Sequence, residues 1–149
     1  MIHLIYASIA TEDFGTEQLT ELLNQSREAN ARLGLTGILL NSRRSFFQVL
    51  EGEPDAVDGL YKKLLVDKRH TNVSQIIREP IARRYFGDWS MGFTSASPEE
   101  LSHIPGLNDF FGNGSCFTKL DAGRAKKLLT AFGKGRWQAE LTGPKRERV

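Results

Sequence analysis

Three uncharged polar residues stand where the surrounding pattern calls for apolar ones: Tyr6 in IHLIYAS, Asn30 on a leucine-spaced run, and Gln48 inside SFFQVLEG. A phenol can donate and accept, and each carboxamide presents a donor and an acceptor side by side. A buried amide without partners costs about 1–3 kcal/mol. The three must therefore satisfy one another or a ligand. They match the edge of a planar heterocycle with alternating C=O and N–H groups, and leucine-lined walls suit its apolar flanks. Flavin, pterin and nucleobase rings all carry such an edge. Each residue also has a plainer reading. Asn30 can be a half-exposed helix-end residue, Gln48 a cross-strand hydrogen-bonding residue, and Tyr6 a core tyrosine with its hydroxyl at the rim. Trp89 and Met91 read equally well as packing residues, and Arg83 and Arg84 as a solvated strand end. His3, His70 and His103 are scattered, without the spacing of a metal site.

Hydrophobic periodicity supplies the elements that must position these groups. Residues 2–8 read as a strand with Leu4, Tyr6 and Ser8 on one face. Thr16 is suited to N-cap a helix, with Glu17 in its first turn. Leu19, Leu22, Leu23, Ser26, Asn30 and Leu33 then follow helical spacing, and Gly34 stands as a terminating glycine. Residues 35–41 and 45–51 predict two strands joined by a hairpin at SRRS. Pro54 opens a second helix carrying Val57, Leu60, Tyr61 and Leu64. Further strands are predicted within 73–82 and near 88–94, the last placing Trp89, Met91 and Phe93 on one face. The order βαββαββ is that of a ferredoxin-like α+β sandwich. Its first and third strands are central neighbours with the first helix above them, so Tyr6, Gln48 and Asn30 are expected to converge.

The third strand is apolar on both faces, since Phe47 and Val49 alternate with Phe46 and Leu50. Such a sheet must be covered twice. Helices expected in SPEELSHIPGL, capped by Ser97 with Pro98 following, and in DAGRAKKLLTAFGKG, or a partner subunit, are the covering elements.

The formal net charge of +2 resides entirely in residues 135–149, which leaves a neutral body and argues against a nucleic-acid platform. Cys116 is the only cysteine, so no internal disulfide forms, and the chain reads as cytoplasmic. No apolar run is long enough to span a bilayer.

YAS at 6–8, NARLGLTGILL at 30–40, FFQVLEG at 46–52, DKRH at 67–70 and RRYFGDWSMGF at 83–93 together resemble the BLUF domains, blue-light sensors that bind flavin adenine dinucleotide. The resemblance runs from about residue 2 to 94. It implies FAD held between the two main helices, and sensing without catalytic turnover. Carried over by motif, Tyr6 is the electron and proton donor, and Gln48 exchanges its hydrogen bonds on illumination. Asn30 bonds the ring edge. Ser8, Trp89 and Met91 report the state of Gln48, and Asp67, Arg69 and His70 line the far end of the cofactor. The position before Asn30, polar in some relatives, is Ala29 here. Domain bounds of 1–95 for the sensor, 96–134 for a helical extension and 135–149 for a flexible tail follow. The signal is expected to pass to a separate protein or through homo-oligomerisation.

Two other functions fit the same order of elements. An RRM-like module would bind single-stranded RNA through aromatics such as Phe47 on an open sheet face, although SFFQVLEG lacks that family's glycine-spaced aromatics. An acylphosphatase-like hydrolase needs an arginine in the loop after the first strand, and SIATEDFG has none.

Overall fold

The computed structural model describes residues 1–10, 16–68, 70–87, 89–112 and 117–132. Five strands form one sheet: β1 (Ile2–Ala10), β2 (Thr36–Ser42), β3 (Ser45–Gly52), β4 (His70–Pro80) and β5 (Gly92–Ser95). Their order is β4-β1-β3-β2-β5, antiparallel throughout except for the parallel β2/β5 pair. Helices α1 (Thr16–Leu33) and α2 (Pro54–Leu65) are the crossovers of the ferredoxin-like unit. Among the described residues three further helices follow: α3 (Pro98–Ser102), α4 (Asn108–Gly112) and α5 (Ala122–Phe132), with a 3₁₀ turn at Phe117–Lys119.

Every residue of β3 is buried, because both faces of the sheet are covered. One face gathers Leu4, Tyr6, Leu39, Phe46 and Leu50 against Leu23 of α1 and Val57 of α2. The other packs Ile5, Ile38, Phe47 and Val49 under Leu101, Phe111, Phe117, Leu128 and Phe132. The C-terminal helices therefore supply the second cover. That removes the RNA-binding reading: Phe47 is fully buried beneath Phe117, with ring centroids 5.7 Å apart, and cannot stack on a base.

Local chemistry explains the boundaries. Gly34 adopts φ +69° and ends α1, a conformation that costs glycine nothing. Pro54 occupies the first position of α2, where its missing N–H is not needed. Ser97 and Glu100 form a reciprocal capping box on α3. Gly37 is required for a different reason. A Cβ there would stand 1.9 Å from the Val49 carbonyl oxygen, so only a hydrogen fits between β2 and β3.

Several sequence expectations are corrected. Thr16 is the first helical residue of α1 and not its cap. Leu33 is exposed, because the buried stripe of α1 runs out at Asn30. β4 begins at His70, earlier than expected, and α4 has no periodic run long enough to show in advance. β5 begins only at Gly92. Residues 90 and 91 form a bend, so strict alternation does not carry through Trp89, Met91 and Phe93. Met91 and Phe93 pack on the α1/α2 side and Trp89 on the far side. The expected tail at 135–149 lies outside the described residues, as does Cys116.

Candidate functional site

Antiparallel pairing of the two central strands sets Tyr6 directly opposite Gln48. Both side chains rise from the sheet toward α1 and α2. The Tyr6 hydroxyl donates to Gln48 Oε1. The other end of the carboxamide, Nε2, donates to Met91 Sδ at 3.7 Å. Phenol, amide and thioether thus form one chain from β1 through β3 to the segment that leads into β5.

The phenol is 2% exposed and Gln48 6%. Burial pushes the Tyr6 hydroxyl well above the usual tyrosine range, and the charges of Tyr61 and Asp67 add to the shift. Tyr6 is therefore neutral and protonated across the working pH range, held as a donor to Gln48. Its ring packs obliquely on that of Tyr61, centroids 5.5 Å apart.

Asn30 reaches from α1 to the same bend that carries Met91. It is wholly buried, not half-exposed as a helix-end residue would be. Its Nδ2 donates to the Ser90 carbonyl at 2.5 Å. Its Oδ1 is buried with no hydrogen-bond partner among the described residues. Such an acceptor costs about 1–3 kcal/mol unless a ligand donor meets it. In the layer between the sheet and the two main helices, Leu19, Leu60, Tyr61, Leu64, Val73 and Phe93 are only partly buried. A partly exposed apolar layer with one unmet amide acceptor in the same part of the fold fits a planar ring bearing an N–H at its edge. The residues present fit a flavin on these grounds.

The remaining expected residues divide. Ser8 is buried on β1, two residues from Tyr6. Asp67 is half-buried just after α2, close enough for its charge to reach Tyr6. Trp89 is buried away from this group, on the opposite side of the sheet, with its carbonyl accepting from Gly37 N–H at 3.0 Å. Arg69 lies outside the described residues, and so does the side chain of His70, whose backbone pairs with Ala10.

Two contributors escaped the sequence reading. Arg27 donates through Nε to the Met91 carbonyl at 3.2 Å. It sits one turn before Asn30, so the i, i+3 rule placed it on the same face. Arg84, taken as a solvated strand end, instead donates to Thr36 Oγ1, the Glu51 carbonyl and the Gly34 carbonyl at 2.8–3.0 Å. Beside it the buried Glu51 carboxylate accepts from Thr36 Oγ1 and from the Tyr85 and Phe86 N–H groups. Together they fasten the 84–86 segment to the ends of β2 and β3. Glu51 is the polar residue at the end of an apolar strand, and that misplacement was the available signal.

Comparison with known proteins identifies the family. The family model for BLUF, described as sensors of blue-light using FAD, matches residues 1–92. The chain is 37% identical over 120 residues to the photoactivated adenylate cyclase subunit beta of Euglena longa; the match covers 79% of this chain and 14% of that protein. It is 32% identical over 88 residues to the blue light- and temperature-regulated antirepressor BluF of Escherichia coli, covering 59% of this chain and 22% of that one. It thus spans only a small part of these curated relatives. Among solved structures, BlsA in its photo-activated state superposes with a TM-score of 0.77 at 27% identity, over 90% of this chain and 95% of that one. With a family model matched over residues 1–92, and with a buried phenol and carboxamide paired across its two central strands, this chain belongs to the BLUF family of blue-light sensors that use FAD.

Proposed function

We propose that this chain senses blue light through the Tyr6–Gln48–Met91 chain, with the isoalloxazine of FAD between α1 and α2. The observation that carries the reading is the continuous hydrogen-bond path from phenol to amide to thioether. Bound flavin supplies blue-light absorption and an excited state that accepts an electron. Tyr6 is the electron and proton donor. Loss of its electron acidifies the phenol, and Gln48 Oε1 is the acceptor already in contact. Gln48 responds by rotation or tautomerism, because an amide exchanges donor and acceptor ends at little steric cost. A carboxylate would bring a charge into the core, and a leucine would bond nothing.

Asn30 holds the ring edge through its open Oδ1, while its Nδ2 keeps Ser90 in place. Asp67, Arg69 and His70 line the far end of the cofactor. Met91 senses Gln48 directly, Ser8 from the neighbouring strand, and Trp89 from behind the sheet through the 89–91 bend. Any change at Met91 moves the start of β5, which pairs with β2 from Gly92 onward. The output is a partner protein or a second copy of this chain, and the domain itself performs no turnover. Among the described residues no helix is long and apolar enough to cross a membrane.

An absorption spectrum before and after blue light tests the reading. A yellow protein whose flavin band shifts reversibly to the red is expected. A protein that binds no flavin, or whose band does not move, overturns it.

A further inference from the structure

Two adjacent carbonyls in the 89–91 bend are held from the same helix. Asn30 Nδ2 takes the Ser90 carbonyl at 2.5 Å and Arg27 Nε takes the Met91 carbonyl at 3.2 Å, one turn apart on α1. On the other side, the Met91 side chain meets Gln48 Nε2. Met91 is therefore gripped at both ends, by a half-buried guanidinium on its backbone and by the switching amide on its sulfur. Its side chain is fully buried, so close-packed neighbours limit its rotamer changes and a shift of its sulfur loads its backbone.

We infer that Arg27 is a positioning residue for the light switch: its hydrogen bond to the Met91 carbonyl holds Met91 in register with Gln48 and sets how long the light-induced state lasts. This deepens the sensor reading and rests on it. For Gln48 to exchange partners, Met91 Sδ must leave or re-form its contact, and the bend must yield. A charge-assisted hydrogen bond on the bend raises that barrier in both directions. Asn30 has the cofactor edge as a second task, whereas Arg27 meets the bend through its Nε. Its removal leaves the ring contacts in place.

The test uses protein labelled with carbonyl-¹³C methionine. The chain has two methionines. The Met1 carbonyl accepts from Ile81 N–H at 3.1 Å, outside the Tyr6–Gln48–Met91 path, and serves as an internal reference. In Arg27→Leu, which keeps an apolar stem on the helix, the Met91 carbonyl band should move to higher frequency in the dark while the Met1 band stays. FAD binding and the size of the light-induced shift should be retained. Dark recovery should quicken about tenfold, the rate equivalent of one lost hydrogen bond to a charged group. Arg27→Lys keeps a cationic donor and should restore part of the lifetime, which a purely structural role would not predict. An unmoved Met91 band, or a moved band with unchanged recovery, overturns the inference while a normal photocycle leaves the sensor reading standing. A wild-type protein with no light-induced shift overturns both, with the dark carbonyl band still reporting whether the contact exists.

Discussion

Trp89 and Met91, two residues apart, lie on opposite sides of the sheet: Met91 against the Tyr6–Gln48 pair, Trp89 among the side chains under α3 to α5. The bend between them breaks the alternation that would have put both in the cleft. Each residue therefore reads a different layer of the molecule. Trp89→Phe should leave the size of the flavin red shift unchanged, because the indole is not among the groups around Gln48. Light-induced changes in the C-terminal helices, followed by hydrogen exchange, should weaken. Loss of the red shift in Trp89→Phe would put the indole in the cleft and contradict the assignment.

Tyr6→Phe removes the one hydroxyl that donates to Gln48 Oε1 and leaves the ring packing on Tyr61 intact. The variant should fold and bind FAD, and its reversible photocycle should be blocked. Transient absorption after a blue flash checks this; an unchanged cycle would show that the phenol is not the donor.

Asn30 carries the unmet acceptor. Asn30→Ala should lower FAD affinity by about tenfold to a hundredfold, the equivalent of one buried hydrogen bond and the ring edge it orders. Titration of the apoprotein with FAD measures it. Unchanged affinity would mean that Oδ1 faces something other than the cofactor.

Glu51 gives a pH dependence with a definite sign. Burial raises its carboxyl above the ordinary value of 4.5, outweighing the hydrogen bonds from Tyr85, Phe86 and Thr36 and the charge of Arg84. A group whose folded pKa is raised binds its proton more tightly in the folded state. Its contribution to stability is fully present below about pH 4.5 and is lost as pH rises through the raised value. Thermal melts across that window should show the wild type losing stability relative to Glu51→Gln as pH rises. Parallel curves would show that Glu51 does not titrate there.

Much of the fold could be read from the sequence because its signals are local and repeated. Gly34, Pro54 and the Ser97–Glu100 box mark helix ends by their own chemistry. The double-faced apolarity of β3 called for a second cover, and the C-terminal helices provide it. Tyr6, Asn30 and Gln48 stood out because each is polar in an apolar stripe; the strand order pairs Tyr6 with Gln48, and Asn30 is linked to them through the Ser90–Met91 segment. The misses around the site share a cause. Trp89 and Arg84 lie on an irregular backbone at 84–91, and Arg27 acts by donating to a carbonyl of that segment. Periodicity has nothing to say about such a segment. Leu33 failed for a related reason, since a helical stripe shows which face is apolar but not how far the sheet beneath it reaches.

The claim on which the rest depends is that Gln48 changes its hydrogen bonds when the bound flavin absorbs light. The most direct measurement is the light-minus-dark absorption spectrum of Gln48→Leu beside that of the wild type, at equal flavin occupancy. The wild type should show a reversible red shift and the variant none. A wild-type-sized shift in Gln48→Leu would contradict the account.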